Sequence, residues 1–180
     1  MRNVEIKLQV DELESYAQRF RNVRGVVWRA SLHEVDTYFN SSRGRLKLRE
    51  ITGTKNRSEL LYYEREDADV PRLATYNITP VSDPAEMKLM LSAALGVRNV
   101  VTKHREVYRW RNVRIHLDDV EGLGRFIELE VMLCDEEPVE NGEKLMRATL
   151  ARLGLEGTHA IECSYGDLEC EALQRGSQRP

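Results

Sequence analysis

Residues 113–133 of the chain read VRIHLDDVEGLGRFIELEVML, and apolar and polar side chains alternate on both sides of Gly122-Leu123-Gly124. Alternation with a period of two is typical of β-strands, and a glycine-rich segment between two such runs is typical of a turn. The stretch therefore predicts strands at 112–120 and 125–133. Because Gly122-Leu123-Gly124 has no third glycine and leads into a strand, it is not a dinucleotide-binding motif.

The same alternation extends to most of the chain and predicts about eight strands in all. The other six are predicted at 3–10, 26–39, 44–51, 58–66, 72–80 and 98–109. Apolar stripes, with prolines at the start and glycines at the end of two of them, predict helices at 11–22, 83–95 and 138–153, with a short fourth helix after Ser164. The connections between the strands are mostly short, which favours antiparallel pairing in an α+β protein.

The polar faces of several predicted strands carry runs of like charge. Three such runs occur at alternate positions: Arg45, Lys47 and Arg49; Lys103 and Arg105; Glu128 and Glu130. Like charges two residues apart repel each other and need opposite charges or ions nearby. If the helices cover the apolar faces, the charged faces point inward, which predicts a closed antiparallel barrel with a charged lumen. A half-exposed sheet with salt-bridged surface charges fits the alternation equally well.

Composition narrows the classes of function. The chain has 180 residues, of which 41% are hydrophobic and 32% charged, enough for the core of one domain. We expect this domain to span 1–174 and a flexible tail to span 175–180. With 27 Lys and Arg against 30 Asp and Glu, the net charge of −3 argues against general nucleic-acid binding. No apolar stretch approaches 18 residues, so no membrane-spanning helix is expected.

The three cysteines are Cys134, Cys163 and Cys170, an odd number without a CxxC pair. Reduced thiols in a cytoplasmic protein fit this pattern best, and the first residues lack the apolar segment of a secretory signal. The chain also contains no GxxxxGK[ST] motif. Any triphosphate binding would therefore not use a P-loop.

Five motifs, in order along the chain, resemble those of the CYTH family, also called triphosphate tunnel metalloenzymes. They are NVEIK at 3–7, similar to the ExExK signature; RLKLRE at 45–50, similar to the basic strand; KHR at 103–105, similar to the Lys-x-Arg strand; 116–130, similar to the Asp strand, Leu-Gly turn and paired-Glu strand; and SYGDL at 164–168. The resemblance covers nearly the whole chain. It implies an eight-stranded antiparallel β-tunnel, open at both ends, with a charged lumen and helices packed outside.

The resemblance also implies an enzyme that acts on triphosphates with Mg²⁺ or Mn²⁺, since the family includes thiamine triphosphatase, inorganic triphosphatases and class IV adenylate cyclase. The leading hypothesis is hydrolysis of inorganic or organic triphosphates. One alternative is an adenylate cyclase that makes cyclic AMP and pyrophosphate from ATP. Another is a non-catalytic polyphosphate or nucleoside-triphosphate binding module. The expected partner is a small triphosphate, with no nucleic acid or membrane, and the chain is expected to be a monomer or a homodimer.

Binding a triphosphate requires several converging cations. The residues expected to bind it are Lys7, Arg45, Lys47, Arg49, Arg65, Lys103, Arg105, Arg114 and His116. Hard divalent cations take carboxylate oxygens, and the expected metal ligands are Glu5, Asp118, Glu128 and Glu130. These carboxylates are alternatively salt-bridge partners of the basic residues, and both roles are compatible. The catalytic residues are expected to be Glu5, Lys7, Arg65 and Glu130.

Two positions depart from the family pattern. Asn3 stands where the first Glu of ExExK is expected, and it adds no charge to a metal site. Arg65 stands where many members have a Lys, and its guanidinium binds phosphate bidentately and keeps its proton. Asp36 is expected to pair with a tunnel cation. Removal of Arg49 is expected to weaken triphosphate binding and, in the empty tunnel, to relieve repulsion among the cations.

Overall fold

The computed structural model describes residues 1–54, 56–65 and 70–177, without the side chains of Arg65 and residues 175–177. The strands are β1 Arg2–Val10, β2 Val27–Phe39, β3 Arg45–Gly53, β4 Arg57–Arg65, β5 Arg72–Val81, β6 Val97–Trp110, β7 Val113–Val120 and β8 Gly124–Leu133. The helices are α1 Glu14–Asn22, α2 Pro84–Leu95, α3 Val139–Leu153 and α4 Tyr165–Ser177. Each predicted element is therefore present. The tail predicted at 175–180 stays a prediction, because α4 runs to Ser177 and residues 178–180 lie outside the described residues.

The eight strands form one closed antiparallel barrel in the order β1-β5-β4-β3-β2-β6-β7-β8. The last contact of the circle is between β1 and β8, where Glu5 lies opposite Glu130 and Lys7 opposite Glu128. Closure gives every strand a hydrogen-bonded neighbour on both sides over at least part of its length. The predicted β-tunnel is confirmed, and the alternative of a half-exposed sheet is wrong.

The main hydrophobic core lies outside the barrel, between the helices and the outer faces of β1, β7 and β8. Val4, on β1, is fully buried there, while its sequence neighbours Asn3 and Glu5 face the lumen. From α1, Phe20 packs edge-on against Tyr108, with ring centroids 6.0 Å apart. Burying an aromatic side chain of this size contributes about 2–3 kcal/mol, so covering the outer faces accounts for much of the driving force that turns the charged faces inward.

Gly142 sets the distance between α3 and β1. A Cβ at this position would lie 2.7 Å from a methyl carbon of Val4, well inside van der Waals contact. The absence of a side chain lets α3 pack directly on the strand that carries Glu5 and Lys7.

A second apolar cluster fills the part of the barrel interior next to the start of α4. It consists of Tyr38, Val101, Val120, Phe126 and Tyr165. The four strand residues lie two positions along the chain from the charged lumen residues Asp36, Lys103, Asp118 and Glu128, and so share their face. The first residue of α4, Tyr165, thus enters the lumen, although the helices were predicted only outside the barrel. Within the described ranges, no helix has the length and apolarity needed to cross a membrane.

Candidate active site

The inward faces of the strands line a polar tunnel. Two rows of side chains follow directly from the strand register. One row runs across β7, β8, β1 and β5 as Arg114, Glu130, Glu5 and Arg72. The next row runs across β7, β8 and β1 as His116, Glu128 and Lys7. Residues two apart in sequence thus become neighbours in adjacent rows, and each acidic residue has a basic residue beside it.

Asp36 is the centre of the first group of buried charges. It accepts hydrogen bonds from Lys47 Nζ at 2.8 Å, from Arg49 at 2.6 and 2.7 Å, and from Lys103 Nζ at 3.1 Å. The expected pairing of Asp36 with a tunnel cation is therefore confirmed. Glu34 adds a second carboxylate, 2.9 Å from Lys103 and 3.4 Å from Arg49. Sequence reasoning missed Glu34, although its position two residues before Asp36 on β2 placed it on the same face.

Arg105 is the centre of the second group. Its guanidinium donates two hydrogen bonds of 2.6 Å to Asp118 and a third of 2.7 Å to Glu128. Asp118 also accepts a hydrogen bond of 2.7 Å from the Tyr165 hydroxyl. Lys7 lies 3.6 Å from Glu128 and 3.9 Å from the centre of the Tyr165 ring. This group ties β1, β6, β7, β8 and α4 together.

Asp36 and Glu128 remain ionised because of these partners. Burial by itself raises the pKa of Asp36, but Arg49, Lys103 and Lys47 outweigh burial and hold its pKa well below the ordinary value. Burial likewise raises the pKa of Glu128, and Lys7, His116 and Arg105 together reverse that effect. Opposite charges at hydrogen-bond distance stabilise the charged form more than desolvation destabilises it. Neighbouring bases thus hold Glu34, Asp36 and Glu128 in the ionised form.

These lowered pKa values predict acid sensitivity. In the unfolded chain Asp36, Glu34 and Glu128 return to ordinary pKa values of about 4, so the unfolded state binds more protons at low pH. Their contribution to the free energy of unfolding is complete above that value and is lost as the pH falls below it. We expect the melting temperature to be nearly constant from pH 7 to 5 and to drop steeply between pH 4 and 3. A thermal melt series by circular dichroism measures this, and an unchanged melting temperature at pH 3 would contradict the ionised lumen.

The lumen also contains donors that fit a divalent cation. Glu5 and Glu130 lie directly opposite each other on β1 and β8, a like-charge pairing that destabilises a sheet unless cations lie nearby. Three potential metal-ligating atoms lie within 4.8 Å of one another, one each from His116, Glu128 and Glu130. The amide oxygen of Asn3 is buried in the same lumen without a hydrogen-bond partner among the described residues. Carboxylate and amide oxygens are donors that Mg²⁺ and Mn²⁺ accept.

The carboxylates expected to bind metal differ in how strongly they already interact with basic side chains. Both oxygens of Asp118 already accept hydrogen bonds from Arg105, and one of them also from Tyr165. Glu128 is engaged by Arg105 and Lys7. Glu130 forms a longer ion pair with Arg114, at 3.5 Å. Asp118 would have to exchange its partners to bind a metal, whereas Glu130 would give up only a weak ion pair.

The basic residues predicted to bind substrate divide into three groups. Five are in or beside the buried charge network: Lys7, Lys47, Arg49, Lys103 and Arg105. Arg114 has a half-exposed side chain on the lumen wall, and Arg45 pairs with Asp167 of α4 at 2.7 Å. Arg65 ends β4 opposite Ala74, and its side chain lies outside the described residues.

A basic cleft lies beside the tunnel, around the pair that Arg45 forms with Asp167. It has a volume of about 820 Å³, and its lining includes Arg43, Arg45, Arg72 and Arg98. Arg98 donates to the second oxygen of Asp167 at 2.8 Å. Asp167 thus fixes two arginines next to the lumen.

One wall of the tunnel is apolar and aromatic. It is formed by β4 and β5, which contribute Leu61, Tyr63, Ala74, Tyr76 and Ile78. Tyr63 lines the lumen and also packs against the second apolar cluster, and the β3–β4 register places it opposite Arg45. Flat apolar surfaces of this kind suit an aromatic or aliphatic group better than a phosphate.

Comparisons with known proteins agree with this architecture. A family profile described as CYTH domain matches residues 1–165. The chain is 25% identical to a protein of Methanocaldococcus jannaschii that is named provisionally as an adenylate cyclase, covering 93% of this chain and 98% of that one. It is 24% identical to the adenylate cyclase CyaB of Aeromonas hydrophila, covering 98% and 93%. A solved structure of a Pyrococcus horikoshii protein superposes with a TM-score of 0.80 at 27% identity, covering 92% of this chain and 98% of that one.

Proposed function

The chain belongs to the CYTH family, and from this premise we propose that it is a divalent-metal-dependent enzyme that hydrolyses triphosphates inside the barrel. The observation that carries the proposal is the convergence of cationic side chains from β1, β3 and β6 on one lumen. Lys7, Lys47 and Arg49 have side-chain exposures of 3%, 9% and 14% and line the tunnel. An ordinary protein core does not bury cations at this density.

The carboxylates of the lumen explain how such a site stays folded without substrate. Lys7, Lys47, Lys103 and Arg105 are buried, and each has an acidic partner that offsets its desolvation. A triphosphate brings several negative charges at once and can take over those hydrogen bonds as the cations turn towards it. Arg49 and Lys47 already donate hydrogen bonds to one anion, the carboxylate of Asp36. The same N–H groups can donate to phosphate oxygens.

In the proposed reaction the chain supplies binding, orientation and electrostatic stabilisation. Lys7 and Arg49 hold non-bridging phosphate oxygens and stabilise the charge that builds up on them during phosphoryl transfer. Glu5 and Glu130, with Asn3 beside them, would hold the metal. When bound, a divalent cation neutralises phosphate oxygens and activates water. Because the donors lie on strands of a closed barrel, they need little rearrangement during the reaction.

Adenylate cyclase activity is the second candidate, and two observations favour it. The curated relatives of similar length carry adenylate cyclase names. The apolar wall of β4 and β5 offers a surface on which an organic group such as a nucleobase can pack. Cyclisation further requires the ribose 3′-hydroxyl to lie in line with the α-phosphate, and this demand on geometry is stricter than positioning a water. The third candidate, a binding module without turnover, rests on Asn3, which lowers the charge available to a metal.

A product assay distinguishes the three candidates. We expect orthophosphate from tripolyphosphate or from ATP in Mg²⁺ or Mn²⁺, little cyclic AMP, and no release in EDTA. The reactions are run separately with each substrate and each metal, and the products are resolved by ion-exchange chromatography. Cyclic AMP and pyrophosphate from ATP, without orthophosphate from either substrate, would establish the cyclase instead. Calorimetric binding without any product would favour the binding module.

A further inference from the structure

His116 lies in the lumen at the place where the acidic residues meet. It is 5% exposed and lies directly opposite Glu128 and diagonally opposite Glu130 across the β7–β8 pair. One donor atom from each of the three residues falls within a 4.8 Å cluster, the one such group of three or more among the described residues. His116 was predicted from the sequence to bind substrate, and it has no role in the reaction proposed above.

One nitrogen of the His116 imidazole makes only a long contact with its nearest carboxylate. Its Nδ1 is buried with no hydrogen-bond partner among the described residues, and the nearest carboxylate oxygen, from Glu128, is 3.5 Å away. A buried polar atom without a hydrogen bond destabilises the fold, so its retention calls for a compensating ligand. The Asn3 amide oxygen in the same lumen is unsatisfied in the same way. Two buried atoms that can ligate a metal, His116 Nδ1 and Asn3 Oδ1, thus lie in the lumen with the carboxylates.

The basic side chains nearby contact the carboxylates and do not supply the missing partner of His116 Nδ1. Arg105 and Lys7 approach Glu128. Arg114 lies 3.5 Å from Glu130, and its side chain is 47% exposed. The imidazole nitrogen can accept a metal, whereas these ammonium and guanidinium groups cannot.

We propose that His116 is a nitrogen ligand of the divalent cation, together with Glu130, and that it makes the site prefer first-row transition ions such as Mn²⁺ to Mg²⁺. The inference rests on the proposed function for the presence of a metal in the lumen and adds its coordination and its selectivity. Mg²⁺ keeps oxygen ligands and gives up its waters reluctantly, whereas imidazole is a normal ligand for transition ions. An all-carboxylate site would not make this distinction.

The test measures Mn²⁺ coordination directly, without turnover. Electron spin-echo spectra of the whole protein are recorded with Mn²⁺ alone and with Mn²⁺ plus tripolyphosphate, on unlabelled protein and on protein containing ¹⁵N-histidine. A histidine nitrogen coupling that changes with the isotope is expected in the wild type. His116→Gln should remove the coupling. It should also lower Mn²⁺ affinity at least about tenfold, since loss of even an indirect partner of a ligand costs roughly 10–100-fold.

His104→Gln is the matched control. His104 lies on the outer face of β6, its ring centroid 4.8 Å from that of His33, and this pair is the competing place for a surface metal. His104→Gln should keep the coupling and the Mn²⁺ affinity, and Mg²⁺ affinity should change by less than about threefold in both variants because Mg²⁺ depends on oxygen ligands. Loss of the coupling in His104→Gln, or its persistence in His116→Gln, would overturn the inference.

The wild-type spectrum remains decisive even if His116→Gln does not fold, because an absent nitrogen coupling under both conditions refutes the ligand. Failure of this inference is separable from failure of the proposed function. Turnover of tripolyphosphate without nitrogen coupling rejects His116 and leaves the hydrolase. Nitrogen coupling without turnover of any triphosphate supports His116 and rejects the hydrolase.

Discussion

Replacement of Glu130 by Gln is expected to abolish metal-dependent turnover while the barrel stays folded. Gln keeps the shape of Glu but carries no charge, so it binds a divalent cation far more weakly. We expect a rate loss of at least about a hundredfold, since losing an indirect partner of a metal ligand already costs roughly 10–100-fold. Stability should change little, because the ion pair with the half-exposed Arg114 is 3.5 Å long and Glu5 lies directly opposite.

Initial rates of orthophosphate release and thermal melts measure the two effects on the same preparation. The matched control is Glu121→Gln, an exposed glutamate in the turn between β7 and β8, which should keep both the rate and the melting temperature. Near-normal Mg²⁺-dependent rates in both Glu130→Gln and Glu128→Gln would show that the metal assignment is wrong.

Replacement of Arg49 by Ala is expected to weaken triphosphate binding and to destabilise the fold. Loss of a charge-assisted hydrogen bond of this kind costs about 2 kcal/mol, or roughly 30-fold in affinity. The charge pattern alone suggested that the empty tunnel would gain stability through reduced repulsion among cations. The structure reverses this sign, because Arg49 neutralises the buried Asp36 at 2.6 and 2.7 Å and lies 3.4 Å from Glu34. Removing one partner of a buried ion pair typically costs about 3–5 kcal/mol.

Calorimetric titration with tripolyphosphate measures the affinity, and urea unfolding measures the stability. Arg57→Ala is the matched control, since Arg57 also pairs with a carboxylate, Glu59, but is half-exposed on β4. It should change stability by no more than about 1 kcal/mol. Arg49→Lys, which keeps the charge and loses the bidentate geometry, should give intermediate values and provides a folded variant if the alanine protein does not fold. Unchanged affinity in Arg49→Ala would remove Arg49 from the substrate site.

Much of the site followed from local pattern, because a strand exposes alternate residues on each face. The spacing of Glu128 and Glu130, and of Lys47 and Arg49, required both members of each pair to share one face. The direction of that face was not readable from one strand. It depends on which face the helices cover, and the buried core around Val4 and Phe20 supplies the energy that decides it.

The local sequence pattern could not predict which side chains of different strands pair with each other across the barrel. Asp118 was expected to bind metal with Glu128, but the β6–β7 register sets it opposite Arg105, which occupies both of its oxygens. Tyr165 reaches Asp118 from 47 residues further along the chain, and only the docking of α4 on the barrel brings them together. His116 meets Glu128 for a similar reason, through the β7–β8 register.

By itself, the sequence determined the eight strands, the four helices and the identity of the charged faces, since these depend on periodicity and on composition within short segments. Tertiary structure alone decided that the charged faces point inward, that Asp36 and Glu34 neutralise Arg49 and Lys103, and that His116 lies among the carboxylates. The physical reason is that alternation fixes where a side chain points relative to its neighbours in sequence. Barrel closure and strand register determine which charged side chains become neighbours across the barrel. In a lumen of low dielectric, these neighbours determine whether each charged residue stabilises or destabilises the fold.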